Sequence, residues 1–125
     1  MSDTGGPAAL GVSELRVRRA TAELEVDFTD GASVRLPAEY LRVESPSAEV
    51  QGHGPNDRRL VSGKRDVGIA AVEPVGHYAV RIRFTDGHDS GIFSWTLLRQ
   101  LSQEQVERWQ AYLDMLAAAG RTRDR

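Results

Sequence analysis

Leu24-Glu25-Val26-Asp27-Phe28-Thr29-Asp30-Gly31 and Val80-Arg81-Ile82-Arg83-Phe84-Thr85-Asp86-Gly87 are one pattern written twice. In each run apolar residues alternate with charged ones, and each ends on Phe-Thr-Asp-Gly. A period of two places the apolar set on one face and the charges on the other, the pattern of a half-buried strand. Asp bonds its own backbone and Gly accepts positive φ, so the strand is expected to turn there. Each copy continues into a short second strand and a helical turn ending in Leu-Arg, at Leu41-Arg42 and Leu98-Arg99. With one inserted residue the two blocks align from end to end. The chain is thereby directed to build a hairpin followed by a helix, twice.

The remaining segments fit around this repeat. Leu15 and Val17 alternate with charges ahead of the first block, and Val67 to Val72 reads as a strand ahead of the second, broken by Pro74-Val75-Gly76. Pro37 sits near the start of the first helical turn, Pro37 to Arg42, where its missing N–H is tolerated. Val43 to Asp66, punctuated by Pro46, Gly52, Gly54, Pro55 and Gly63, reads as loop with room for one short strand or helical turn. A helical segment starts at Ser94. Ser102-Gln103-Glu104-Gln105 fits a capping box, and Val106, Trp109, Leu113 and Leu116 follow at helical spacing, with Tyr112 and Met115 as further packing residues and Gly120 as the stop. The expected fold is α+β: a mainly antiparallel sheet from two hairpin–helix units with a C-terminal amphipathic helix, in two layers. The domain is expected over 12–120, with a flexible tail over 1–11 and a short tail over 121–125.

The chain contains no cysteine, which excludes disulfides and thiolate metal sites. A net charge of −2 supplies no general attraction to nucleic acid or acidic lipid. No basic and apolar secretory signal opens the sequence, and no apolar run approaches the roughly 20 residues of a membrane span. The expected compartment is the cytoplasm, with no membrane partner.

Three segments together resemble a widespread bacterial family. They are Glu39-Tyr40-Leu41-Arg42-Val43-Glu44-Ser45-Pro46-Ser47-Ala48-Glu49-Val50, Gly76-x-Tyr78-Ala79-Val80, and Asp86-Gly87-His88-Asp89-Ser90-Gly91-Ile92-Phe93-Ser94-Trp95-x-x-Leu98-Arg99. The family was catalogued as a domain of unknown function and is similar to the N-terminal domain of gamma-butyrobetaine hydroxylase. The resemblance runs from Leu15 to Leu101. It implies a stand-alone bacterial domain, or one that precedes an oxygenase or follows an iron–sulfur-carrier ATPase. It also implies a zinc site of three cysteines and one histidine. Here the cysteine positions read Ser45, Ser47 and Val50, and only His88, within Asp86-x-His88-x-Ser90, is kept. Serine hydroxyls do not replace thiolates around zinc, so no cofactor is expected and zinc or iron would have to bind weakly. Oxygenase chemistry is not carried over: the His-x-Asp/Glu spacing of an iron triad is absent, and the chain lacks the length of an oxygenase domain.

His88 is the leading candidate site residue, either as a weak metal ligand with Asp86, Asp89 or His53, or as a hydrogen-bond donor to a partner. The structural alternative, which we favour, is a turn histidine bonded to a backbone carbonyl and packed on Trp95. His53 and His77 read as incidental. Arg58, Arg59, Lys64 and Arg65 form a basic loop suited to phosphate or nucleic acid, but Asp57 and Asp66 flank it and no aromatic residues interleave, so a solvated loop is favoured. Arg42 and Arg99 are expected to pair with acidic residues, and with Trp95 they are the candidates for partner contact. Ser90, His88 and Asp89 adjoin on one strand and cannot converge as a triad. The reading is a non-enzymatic accessory or interaction module. Its expected partner, implied by the resemblance, is a protein such as an iron–sulfur carrier or metalloenzyme. The alternatives are a metal-binding domain centred on His88 and, more weakly, phosphate binding through the basic loop.

Overall fold

A computed structural model describes residues 10–46, 60–89 and 91–124. The order of elements is β1 (Val12–Arg18), β2 (Glu23–Phe28), β3 (Ser33–Pro37), α1 (Ala38–Val43), β4 (Ile69–Val75), β5 (Ala79–Phe84), β6 (Ile92–Ser94), α2 (Trp95–Gln103) and α3 (Gln105–Ala118). The fold is α+β. The two units do not merge into one sheet among the described residues; β1-β2-β3 and β4-β5-β6 are separate antiparallel sheets. Their apolar faces share one core, in which Leu24, Val26 and Leu36 of the first unit meet Val80, Ile82 and Phe93 of the second.

The repeat read from the sequence is reproduced bond for bond. Phe28 N–H donates to the Ala32 carbonyl (2.8 Å) and Phe84 N–H to that of His88 (2.9 Å). Asp30 Oδ1 accepts from Ala32 N–H and Asp86 Oδ1 from His88 N–H, both at 3.1 Å. Gly31 and Gly87 stand at φ 95° and 92°, where a Cβ would be strained, giving a three-residue turn with a left-handed glycine in each hairpin. The edge strand is pinned in both units by one threonine: Thr29 N–H donates to the Gly11 carbonyl and Thr85 N–H to that of Gly68. The returned bonds run from Gly11 N–H to Thr29 Oγ1 and from Gly68 N–H to Thr85 Oγ1. Even the register irregularity recurs, between Val12 and Glu14 and between Ile69 and Ala71.

Several local expectations are corrected. The strand expected over Val67–Val72 lies at Ile69–Val75, and Pro74 is inside it. β4 is an edge strand, so a missing N–H there can leave the ladder intact. Ser94, not Ser102, provides the serine cap: its Oγ accepts from Leu97 N–H (3.0 Å), whereas Ser102 lies inside α2 and donates to the Arg99 carbonyl. α3 starts from Glu104 without a side-chain cap. Tyr112 and Leu116 are buried as expected, but Val106 and Met115 are exposed. Gly120, at φ 67°, ends α3: its N–H reaches the Ala117 carbonyl and Arg121 N–H that of Leu116, the paired bonds of a Schellman stop. Residues 121–124 then lie along the loop before β4, with Gly63 N–H on the Thr122 carbonyl and Arg65 N–H on that of Arg123. Among the described residues no helix is long and apolar enough to cross a membrane.

The charged face of the first sheet is itself tightly organised. Glu25 is 6% exposed because Arg16, Arg18 and Arg35 close over its carboxylate at 2.6–3.0 Å. Bonds from Arg16 first, then Arg35, outweigh desolvation and pull the Glu25 carboxyl down to about 2.

Candidate functional site

The second turn brings together residues far apart in sequence. Asp86 projects toward the C-terminal end of α1 and the loop before β4, where Arg42 Nε lies 2.8 Å and Lys64 Nζ 2.6 Å from its Oδ2. Although its backbone is at an exposed turn, its side chain is only 18% exposed. Desolvation raises its pKa, but the bonds from Lys64, the His88 N–H and Arg42 together prevail and hold the carboxyl at about 2. A cavity of about 210 Å³ adjoins, walled by Gly63, Lys64, Asp66, Val67, Thr85 and Asp86.

His88 follows the turn, half-buried, with its ring 6.0 Å from that of Phe84. Its Nε2 lies 3.0 Å from Ser45 Oγ, across 43 residues of chain. Ser45 is itself 6% exposed. Gly91 closes against it so tightly that a Cβ at Gly91 would overlap the Ser45 hydroxyl. Ser45 and His88 are thus neighbours, and a hydrogen bond joins them. These residues do not fit a zinc ion. Ser45 offers a neutral hydroxyl and Asp86 is already neutralised by two cations, leaving His88 as the one ordinary ligand. Among the described residues no group of three His, Cys, Asp or Glu could hold a metal. Asp89 is exposed. His53, Ser47, Val50, Arg58, Arg59 and Ser90 lie outside the described residues.

Arg42 and Arg99 do pair with carboxylates, in a crossed arrangement. Arg42, in the first unit, bonds Asp86 of the second; Arg99, in the second, bonds Asp30 of the first at 2.7 and 3.2 Å. The Arg99 guanidinium also lies over the Phe28 ring, 4.9 Å from its centroid. Trp95 is held by its indole N–H on the His77 carbonyl (2.8 Å) and by its backbone N–H on that of Tyr78 (2.9 Å). Beside it Tyr78 is 62% exposed, although sequence reasoning gave it no role beyond the resemblance. The basic loop is not free to meet phosphate along its described part, since Lys64 is on Asp86 and Arg65 on Asp124.

The two most strongly depressed carboxyls predict acid sensitivity with a definite sign, to which the lowered Asp27, Asp30 and Glu104 add in the same direction. Glu25 and Asp86 have ordinary values of 4.5 and 3.8 and sit near 2 in the fold, so the unfolded chain binds more protons between those limits. Their contribution to stability should be constant from neutral pH to about 5 and fall as pH drops from about 4.5 toward 2. Urea midpoints across that range test it; a decline already under way near pH 6 would place the loss in other groups.

A family model described as gamma-butyrobetaine hydroxylase-like, N-terminal, matches residues 15–99. Two solution NMR structures resemble the chain closely. One is 46% identical over 90% of this chain and 89% of that one, with a TM-score of 0.78. The other is 43% identical over 98% and 91%, with a TM-score of 0.81. A crystal structure from Acidithiobacillus ferrooxidans, of a DUF971-family protein with unknown function, is 42% identical over 74% of this chain and 92% of that one, with a TM-score of 0.62. No curated protein matches.

Proposed function

We propose, from the premise that this chain belongs to the gamma-butyrobetaine hydroxylase-like N-terminal family, that it is a non-catalytic module that binds a protein partner. The observation that carries the reading is an exposed tyrosine at the turn between β4 and β5, close along the backbone to the start of α2. Tyr78 is 62% exposed, and its carbonyl accepts from the backbone N–H of Trp95, whose indole is fixed by the His77 carbonyl. Tyrosine and tryptophan on a rigid frame supply contact area at low entropic cost, and they are enriched where proteins meet. The partner we assign is an iron–sulfur carrier or a metalloenzyme in the cytoplasm, a choice that rests on the family resemblance.

Affinity capture on the native chain and on Tyr78→Ser tests this. The expected result is that a metalloenzyme or iron–sulfur carrier is retained by the native chain and lost about tenfold or more with the variant, as for an aromatic hot spot. Capture that Tyr78→Ser leaves unchanged would move the contact elsewhere. Retention of no such protein would end the assignment.

The donor chemistry around His88 gives a separate expectation. Thermal midpoints before and after exhaustive chelation should agree within about 1 °C, the result expected of a fold whose stability is not linked to a bound metal. A drop reversed by added zinc would restore the metal-binding alternative.

A further inference from the structure

A second charged site lies between α1 and α3. Glu39 is a carboxylate only 7% exposed, and Arg123 grips it with two parallel bonds, Nε to Oε2 at 2.9 Å and a terminal nitrogen to Oε1 at 2.7 Å. The same guanidinium lies over the Trp109 ring, 5.2 Å from its centroid. Tyr40 meets Trp109 edge to face at 6.2 Å. A cavity of about 210 Å³ remains beside the guanidinium, bounded by Pro37, Glu39, Tyr40, Gln105, Trp109 and Arg123. A buried carboxylate that accepts a fork of two bonds, next to an indole face, is a receptor for guanidinium.

Receptor and occupant are held very differently. Tyr40 is 1% exposed and its hydroxyl donates to the Leu101 carbonyl (2.7 Å), so this wall is fixed by the core. Arg123 arrives on the segment after the Gly120 stop, which is joined to the loop before β4 by the backbone bonds at Gly63 and Arg65. Removing Arg123 would leave a buried carboxylate without its cation, an unfavourable state that another guanidinium relieves.

We propose that Glu39, Tyr40 and Trp109 form a binding site for the arginine side chain of a partner protein, and that Arg123 occupies it in the free chain. An ammonium, as a point charge, cannot make both bonds to Glu39, so lysine is the weaker ligand. The site is distinct from the Tyr78–Trp95 surface, and either assignment can fail without the other.

The test titrates N-acetyl-arginine amide into ¹⁵N-labelled protein while following the Trp109 indole N–H. Arg123→Ala should respond saturably, whereas the native chain should require about tenfold more probe, since its own arginine competes at the high effective concentration of a short tether. Arg123→Lys, which keeps a charge near Trp109 but not the fork, should fall between and serves if the alanine chain does not fold. Glu39→Gln added to either variant should abolish the response, and N-acetyl-lysine amide should bind more weakly. Absence of a saturable response in a folded Arg123 variant overturns the proposal. So does a response that survives Glu39→Gln.

Discussion

Phe84→Ala is expected to destabilise the chain by about 3–5 kcal/mol, and Phe28→Ala by a similar amount, the usual loss when a buried phenyl ring is truncated. The two rings are equivalent in the repeat and 1% and 3% exposed. Each stands immediately before a Thr-Asp-Gly turn, with its N–H closing the hairpin, so truncation empties a core position at the point where the strand reverses. Both rings also belong to one apolar cluster that contains residues of both sheets. Either substitution should therefore weaken a single cooperative transition, shifting the urea midpoint without splitting it or changing its slope. A biphasic curve for Phe84→Ala would show that the second unit unfolds alone, and the shared core would then be secondary. A loss below about 1 kcal/mol would mean the site collapses around the missing ring.

What could be read in the sequence was what its local chemistry decides. Phe-Thr-Asp-Gly specifies a turn because Asp86 reaches a backbone N–H two residues ahead and Gly87 takes a positive φ, neither of which depends on the rest of the fold. The helical stop at Gly120 is of the same kind. The capping box at Ser102 misled because a serine caps only where the backbone enters the helix from an extended conformation, and α2 already runs through that position from Ser94. Pro74 misled for a related reason: whether a proline breaks a strand depends on which side of the ladder is free. Alternation placed Glu25 on the polar face, yet three arginines from neighbouring strands cover it, and that depends on register. Ser45 and His88 were both singled out, but their hydrogen bond and the close approach of Gly91 follow only from the packing of one unit on the other.

The crossed ion pairs supply the sharpest comparison, because the repeat provides its own control. Asp86→Ala is expected to lose about 2–3 kcal/mol, less than for a fully buried pair because solvent reaches the rim. The substitution strands two cations, Arg42 and Lys64, whose side chains are 15% and 24% exposed. Asp30→Ala should lose less, since Asp30 is 47% exposed and its partner Arg99 keeps its place over Phe28. Asp86→Asn separates charge from turn. It retains an oxygen for the His88 N–H but no counter-charge, so it should recover only about 0.5–1.5 kcal/mol, the net worth of one hydrogen bond. Equilibrium unfolding of the three variants in one buffer measures all of this. If Asp30→Ala and Asp86→Ala prove equal, and Asp86→Asn restores most of the loss, then Asp86 serves only as turn scaffold. The order expected from the structure makes it instead the residue that ties α1 and the loop before β4 to the second hairpin, beside the Ser45–His88 contact.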